Sequence, residues 1–337
     1  MGSPTISSDD LWALFEANGG NVYQTAKQLG LNHSGLAKRI KRLKEARGKD
    51  DKVVLPTFPD DDIPTEDIIG LMSRRFRQRW EHQQAKKWFE VRLPDGPFGL
   101  MMWGDPHLDS NGCNWPLLER HIAIARQPGI YSINIGDTLD NWPHGSRLIK
   151  LYAHSDQSTD TARRLADYFF SGSGVQWLVV LLGNHDLWPG HNNIKSIVKK
   201  PVVVEDWGAR FVLKASGVPF RVWASHNFPG HSEHNTLHGL QKTATKKEEC
   251  DLYVAGHTHN WAIHQEESAS RGFVYWLART RGYKYLDDHA MHLGHDPQEE
   301  GASVLAVCNP KATSMSGRMQ LFADVETGAD YLKWLRK

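Results

Sequence analysis

The chain reads as an α/β protein in which buried strands alternate with helices, preceded by a small all-helical unit. Three observations carry that reading. Apolar, β-rich runs recur at Ile130–Ile135, Trp177–Leu182, Phe220–Ala224, Leu252–Ala255, Phe273–Leu277 and Val304–Val307. Helical patterns fall beside them at Trp115–Arg126, Asp160–Phe170 and Thr236–Glu248, and such alternation marks a sheet covered by helices. The N-terminal stretch shows only helix-period segments separated by glycine and asparagine turns.

Taken in order, Ser7-Ser8-Asp9-Asp10 is a start signal for a helix carrying Leu11, Leu14 and Phe15. Gly19-Gly20 ends it, and Asn21 can cap a second helix with Val22, Ala26 and Leu29. Gly30 permits a tight turn, after which Asn32 or Ser34 can cap a third helix with Leu36, Ile40 and Leu43 on its inner face. Residues 5–47 thus form one helical unit. Residues 48–64, with their prolines and mixed charges, read as a linker. The remainder, 65–337, is the α/β domain. It begins with a helix from Thr65, apolar along Ile68, Ile69, Met72, Phe76 and Trp80 and basic at Arg74, Arg75, Arg77 and Arg79. Trp88–Leu93 and Phe98–Trp103 flank a Pro-Asp-Gly turn in the manner of a hairpin. Ala329 to Lys337 reads as a closing helix.

With 337 residues, 40% of them apolar and 13 of them Trp, the chain can build a sizeable core, which excludes a disordered protein. Its formal net charge of +1 says little. The distribution says more: Lys38, Arg39, Lys41, Arg42, Lys44, Arg47 and Lys49 face Glu45 alone, a local anion-facing surface. Three distant cysteines, Cys113, Cys250 and Cys308, make no disulfide framework and fit a reducing, cytoplasmic compartment. No apolar run approaches the ~20 residues of a membrane span, so no membrane partner is expected.

Five short motifs then appear in one order: Asp105-Pro-His107, Gly136-Asp137, Gly183-Asn184-His185-Asp186, Ser225-His226 and Gly256-His257-Thr258-His259. Most follow an apolar strand, so several strand ends can bring oxygen and nitrogen donors to one place. Asp-x-His on a pleated strand end would put both side chains on one side, and His-x-His would do the same with two imidazoles. Hard oxygen donors, neutral imidazoles and a carboxylate able to bridge suit two divalent cations roughly 3.5–4 Å apart, which make a water nucleophilic as hydroxide and neutralise charge on a phosphate ester.

Residues 98–280 resemble the calcineurin-like metallophosphoesterases in these motifs. The resemblance implies a two-sheet α/β sandwich with the site at its strand ends. It implies Asp105, His107 and His259 as ligands of one metal, Asp137 as the bridge, and Asn184, His226 and His257 as ligands of the second. It also implies His185 as the catalytic histidine that stabilises the transition state or protonates the leaving oxygen, with Asp140 orienting it. His226 is preferred over His231, His234 and His238 because it directly follows a strand. Asp186 reads as a structural neighbour, and His144, His154, His191 and His264 as ordinary histidines, with His144 or His191 able to touch substrate from a loop. Protein phosphatases of the superfamily carry arginines where this chain has Asn141 and Leu182. Without guanidinium clamps a diester becomes the better substrate.

The N-terminal unit resembles a helix-turn-helix of the Fis or homeodomain-like kind. Ser34, Lys38, Arg39 and Arg42 face outward if Leu36, Ile40 and Leu43 face inward, and such a helix can lie in the major groove of DNA. The expectation is a dinuclear phosphodiesterase acting on DNA, in a layout resembling proteins of phages and prophages. A small-nucleotide phosphodiesterase and an inactive DNA-binding regulator are the alternatives. Manganese is the first-choice metal, with iron, zinc, cobalt or nickel tolerated by a thiolate-free site. A homodimer is compatible with a helix-turn-helix, although no dimerisation heptad is visible. Trp115, Trp142 and Trp188 each follow a metal motif and read as core anchors or as base-stacking rings.

Overall fold

The computed structural model describes residues 6–48, 62–142, 157–188, 193–286 and 301–337. Most of the expected linker, and His144, His154 and His191, lie outside the described residues. The chain divides into two compact units, Met1–Leu71 and Met72–Lys337.

The first unit contains helices α1 (Ser8–Ala17), α2 (Val22–Leu29) and α3 (His33–Arg47). Each starts where a short polar side chain can accept the orphaned amides of a first turn. Ser7 accepts from Asp10, Asn21 from Tyr23 and Gln24, and Asn32 from Ser34. Gly30, at φ +64°, ends α2 in the left-handed region. Leu11, Phe15, Ala26, Leu36 and Ile40 form the unit's buried core. Ser34, Lys38 and Arg42 are exposed, as the facing rule requires. Arg39 departs from it. Its guanidinium is half-buried and donates to the Ile6 carbonyl at 2.6 Å, so its charge is spent on holding the chain start. Helix α4 (Thr65–Ala85) follows and buries no residue.

The second unit is a mixed α/β structure with two six-stranded sheets. One runs β1 (Phe89–Arg92), β6 (Gly208–Ala215), β7 (Val218–Ser225), β8 (Leu252–Ala255), β10 (Phe273–Arg279), β9 (Ala262–Ser268). The other runs β12 (Met319–Phe322), β11 (Val304–Cys308), β2 (Phe98–Trp103), β3 (Ile130–Asn134), β4 (Trp177–Leu182), β5 (Val203–Asp206). Strands β2 to β5 are mutually parallel, and so are β7 and β8.

The expected hairpin does not form. β1 pairs parallel with β6, Phe89 beside Phe211, whereas β2 lies between β11 and β3 in the other sheet. The reason is burial. Phe98, Leu100 and Met102 fill the space between the sheets, while Met101 and Trp103 point into the helix layer, so β2 needs cover on both faces. Glu90 and Arg92 suit β1 to an edge.

Between the sheets, Phe98, Leu100, Ile133, Val179 and Leu181 meet Phe211, Leu213, Phe220, Val222 and Val254. Outside the second sheet, helices α5 (Trp115–Ala125), α6 (Thr159–Asp167, continued by a π turn at Tyr168–Gly172) and α10 (Val325–Leu335) supply Leu118, Ile122, Ala166 and Leu332. Short helices α7 (Asn184–Leu187) and α8 (Ile194–Ile197) follow β4. Outside the first sheet, α9 (His238–Lys246) brings Leu240 and Ala244 onto Tyr253, Tyr275 and Leu277. The layers are therefore helix, sheet, sheet, helix. The three cysteines are buried and unpaired.

One buried histidine outside the motifs makes stability depend on pH. His121 Nδ1 lies 2.6 Å from the Tyr283 hydroxyl, which also meets Ser303 Oγ at 2.6 Å. Burial, then nearby Arg120, lowers the His121 pKa from 6.5 to about 4. At His121 the unfolded chain therefore binds more protons between those values, and this residue's own contribution to stability falls as pH drops from about 6.5 to about 4, by up to roughly 3 kcal/mol. Urea unfolding of metal-free protein at pH 7 and pH 5 reads this contribution as the difference in pH slope between the unaltered chain and a His121 variant, since the buried Asp105 and Asp186 carboxyls titrate in the opposite sense. The variant His121→Phe should remove that part of the slope while lowering stability at pH 7; an unchanged slope would exclude His121 as its source.

Candidate metal centre

Every candidate ligand sits just past the C-terminal end of a strand. Asp105 and His107 follow β2, Asp137 follows β3, and Asn184 and His185 follow β4, all in the second sheet. His226 follows β7, and His257 and His259 follow β8, in the first sheet. The site is thus assembled by loops from both layers. The loops are not continuations of the pleat. Asp105 (φ +28°), His107 (+44°), Asp137 (+49°), His257 (+73°) and His259 (+53°) are all left-handed, as is Asn141 (+41°). Left-handed residues other than glycine are costly and gather where surrounding structure forces them. Among the described residues, only Trp207 and Ser216 otherwise share this conformation. Asp105 and His107 therefore converge through a tight turn rather than through strand alternation.

Glycines make the approach possible. A Cβ at Gly183 would lie 2.1 Å from Asp137 Oδ1, and one at Gly256 would lie 2.5 Å from Asp105 Oδ2. At Gly136 a Cβ would meet His226 Nδ1 at 2.6 Å. A side chain at any of the three would displace the carboxylate or imidazole packed against it.

The first cluster is centred on His226, which is fully buried. Its Nδ1 lies 3.0 Å from the Ile135 carbonyl, an acceptor only, so Nδ1 carries the proton. The lone pair on Nε2 then faces Asn184 Oδ1 at 3.1 Å, His257 Nδ1 at 3.1 Å and Asp137 Oδ2 at 3.2 Å. Donor atoms meeting in this way repel unless positive charge lies among them. The pKa pattern says the same. Burial disfavours a charged His226, yet Asp137 and Asp105 beside it raise it to about 9. Burial would raise Asp137 too, but His226, His185 and His107 hold its carboxyl far below the usual range. A proton or a cation must occupy the gap, and a divalent cation would displace the proton.

The second cluster comprises His107, Asp137 and His185, whose donor atoms lie within 4.8 Å of one another. Asp105 Oδ1 and both ring nitrogens of His107 are buried here without a hydrogen-bond partner, although Nδ1 has the Asp140 carboxylate beside it. Buried polar atoms are nearly always satisfied, so these orphans beside a shared carboxylate fit a cation site. Burial pushes the Asp105 carboxyl up to about 6, while its other oxygen accepts from the His257 amide at 2.7 Å. The His259 ring lies 5.2 Å from that of His107, at the edge of this cluster. The donor set fits two hard or borderline cations sharing Asp137.

Asp140 does not have the expected arrangement. Its carboxylate approaches His107 Nδ1 at 2.7 Å, close but poorly aligned as a hydrogen bond, and lies 3.2 Å from Lys284 Nζ. Its backbone carbonyl, rather than its side chain, accepts from His185 Nδ1. The carboxylate thus lies with Lys284 and His107 rather than with His185. His185 Nε2 is left facing Asp137 Oδ2 at 4.0 Å, and burial lowers the His185 pKa to about 4, so the ring is neutral near pH 7.

Asp186, the last residue of its motif, accepts from Thr138 and Gly183 amides, both at 3.0 Å, and ties two ligand loops together. Burial, then Asp137, raises its pKa to about 7. The segment from Arg279 to Lys284 is a strap over the site. Arg279 Nη1 donates to the Gly256 carbonyl at 2.6 Å, Arg281 Nε to the His259 carbonyl at 3.3 Å, and the Tyr283 amide to the Asp105 carbonyl at 3.2 Å. A Cβ at Gly282 would meet the Asp105 carbonyl at 2.9 Å. Its only sequence signal is a basic, glycine-containing run directly after a strand.

The tryptophans divide. Trp115 Nε1 donates to the Leu108 carbonyl at 3.1 Å and packs on the helix-side core. Trp142 and Trp188 lie 4.9 and 4.1 Å from the His185 ring and 5.7 Å from each other, all half-buried. His231, His234 and His264 are exposed and take no part in either cluster.

No family model matches the sequence, and no curated protein matches it. Among solved structures, the chain is similar to a metallophosphoesterase from Sphaerobacter thermophilus, with 10% identity and a TM-score of 0.33 over 70% of this chain and 95% of that one. It is similar to GAP50, the anchor in the inner membrane complex of Plasmodium, with 10% identity and a TM-score of 0.32 over 66% and 87%. It is also similar to the protein AQ665 of unknown function from Aquifex aeolicus, with 16% identity and a TM-score of 0.25 over 51% and 84%. Likeness at this level carries no functional argument.

Proposed function

We propose that this protein is a dinuclear-metal-dependent phosphodiesterase acting on DNA. The observation that carries the chemistry is the crowding of potential ligand atoms on both sides of Asp137. His226, Asn184 and His257 crowd one side, and the orphaned Asp105 Oδ1 and His107 Nε2 lie on the other. Asp105, His107 and His259 would hold one cation, and Asn184, His226 and His257 the second, with Asp137 shared. Two bound cations would supply Lewis acidity, offsetting phosphate charge and making a water nucleophilic. The chain's own part is to fix these donors before substrate arrives. His185, neutral and pinned through Nδ1, presents the Nε2 lone pair to the same space, where it can take a proton from the attacking water and then give it to the leaving oxygen. Asn141 donates to the His185 carbonyl at 3.3 Å and Leu182 is buried, so neither position offers a guanidinium to clamp a terminal phosphate. That favours a diester.

Support for DNA comes from α3, where Ser34, Lys38 and Arg42 are exposed on one face. Binding to a DNA duplex, measured by fluorescence anisotropy, should lose about 0.9 in the log–log salt slope for each phosphate contact removed by Lys38→Ala or Arg42→Ala. A slope equal to that of the unaltered protein would remove α3 from the DNA reading. A second reading, hydrolysis of a small nucleotide, is favoured by Trp142 and Trp188, whose rings beside His185 can stack on a base.

The decisive experiment measures turnover of bis(p-nitrophenyl) phosphate, plasmid DNA, single-stranded DNA and cyclic nucleotides with Mn²⁺, and metal content on the same sample. DNA cleavage supports the proposal, and cyclic-nucleotide cleavage alone supports the second reading. No turnover with two cations bound would leave a DNA-binding regulator.

A further inference from the structure

We propose that Lys284 is a positioning residue of this centre: by gripping the buried Asp140, it holds that residue's carboxylate on His107 and its backbone carbonyl on His185. The inference rests on the dinuclear reading of the site. Lys284 and Asp140 are each only 7% exposed. Lys284 Nζ lies 3.2 and 3.4 Å from the two carboxylate oxygens. A carboxylate buried this deeply needs a cation beside it, and removing one partner of a buried pair leaves the other uncompensated. The need is sharper here because Asp109, also buried, accepts from the Asp140 amide at 2.7 Å and puts a second carboxyl nearby.

Asp140 thus touches two rings at once. Its side chain reaches His107 Nδ1 at 2.7 Å and its carbonyl accepts from His185 Nδ1. Both contacts leave the opposite ring nitrogen free to face the ions and the substrate. Carboxylates behind metal-binding imidazoles fix ring orientation and raise ligand basicity, and losing them typically costs about 10- to 100-fold in metal affinity or activity. Lys284 stands one step further back, and it also lies 5.2 Å over the Trp142 ring, which packs on His185. One ammonium therefore braces an arc running from the His107 side of the centre to the aromatic wall.

The test titrates Mn²⁺ calorimetrically into the metal-stripped 337-residue chain, for the unaltered protein, Lys284→Met and Lys284→Arg, with bis(p-nitrophenyl) phosphate kinetics alongside. Lys284→Met should weaken one of two Mn²⁺ sites about 10- to 100-fold, leave the other within about threefold, and lower kcat about tenfold or more at nearly unchanged KM. Lys284→Arg, which keeps the charge, should recover most of both losses. If Lys284→Met does not fold, Lys284→Gln, which keeps a donor but no charge, is read in the same way. Wild-type affinity at both sites in Lys284→Met would overturn the proposal, and so would equal impairment of the Met and Arg variants. An unaltered protein that binds no Mn²⁺ would instead overturn the dinuclear reading itself, so the two failures are distinct.

Discussion

Replacing Asp137 by asparagine is expected to abolish phosphodiester hydrolysis and to leave the chain with at most one tightly held cation. The asparagine oxygen can still accept from the His185 amide, now 3.0 Å from Oδ1, so the loop need not move. What disappears is the negative charge shared by the two clusters. His226 Nε2, 3.2 Å from Asp137 Oδ2, would then share its cation only with neutral or distant donors. Lewis-acid stabilisation in such sites is worth several kcal/mol, and every 1.36 kcal/mol is tenfold in rate, so a loss on the order of 10³-fold or more follows. Metal analysis by mass spectrometry and turnover of bis(p-nitrophenyl) phosphate on one sample would check it. Two retained cations with undiminished rate would mean that Asp137 bridges nothing.

His185→Ala is expected to slow turnover by about 10²- to 10⁴-fold, the range for a positioned proton-sharing group, with both cations retained. The geometry makes this a sharp test, because His185 also belongs to a donor group with His107 and Asp137 that could itself hold an ion. Its Nδ1 donates to the Asp140 carbonyl and its ring is neutral near pH 7, so Nε2 carries a lone pair that can hold an ion, or can take up a proton and only then pass it to a leaving oxygen. Metal content separates them: loss of a cation from the alanine variant would make His185 a ligand and leave the leaving oxygen without its proposed partner. Trp142 and Trp188 should stay folded around the gap, and their fluorescence reports on whether they do.

Much of this molecule can be read from residue order because its main signals are local. The strand runs at Trp177–Leu182 and Leu252–Ala255 are recovered to the residue, since a strand buried on both faces must be apolar throughout. Caps at Ser7, Asn21 and Asn32 follow from hydrogen bonds reaching two or three residues. Strands β5 and β9, with Glu205, Asp206, Glu266 and Glu267, were invisible because they are edge strands that bury little. The supposed hairpin failed for a related reason, as no local pattern says that Trp103 will be covered by helices. At the centre, the donors announce themselves by type and spacing, yet how they converge does not. Left-handed backbone at Asp105 and His107 replaces the pleat. The Asp140 carboxylate lies with Lys284, more than a hundred positions distant, rather than with His185, and no spacing rule links the two.

Asp105, His107, Asp137 and Asn184 hang from one sheet, while His226 and His257 hang from the other. Cations seated among them would clasp the two sheets along a single margin, as a hinge pin joins two leaves. Away from that margin a few protein contacts hold the sheets instead, Arg318 donating to the Pro219 carbonyl at 2.7 Å and standing 3.8 Å from Asp251, and Trp276 donating to the Met319 carbonyl at 2.9 Å, so with ions bound transient opening of the sandwich should begin there. Amide exchange would then run fastest at the strand ends remote from the ions, and chelation would erase that polarity.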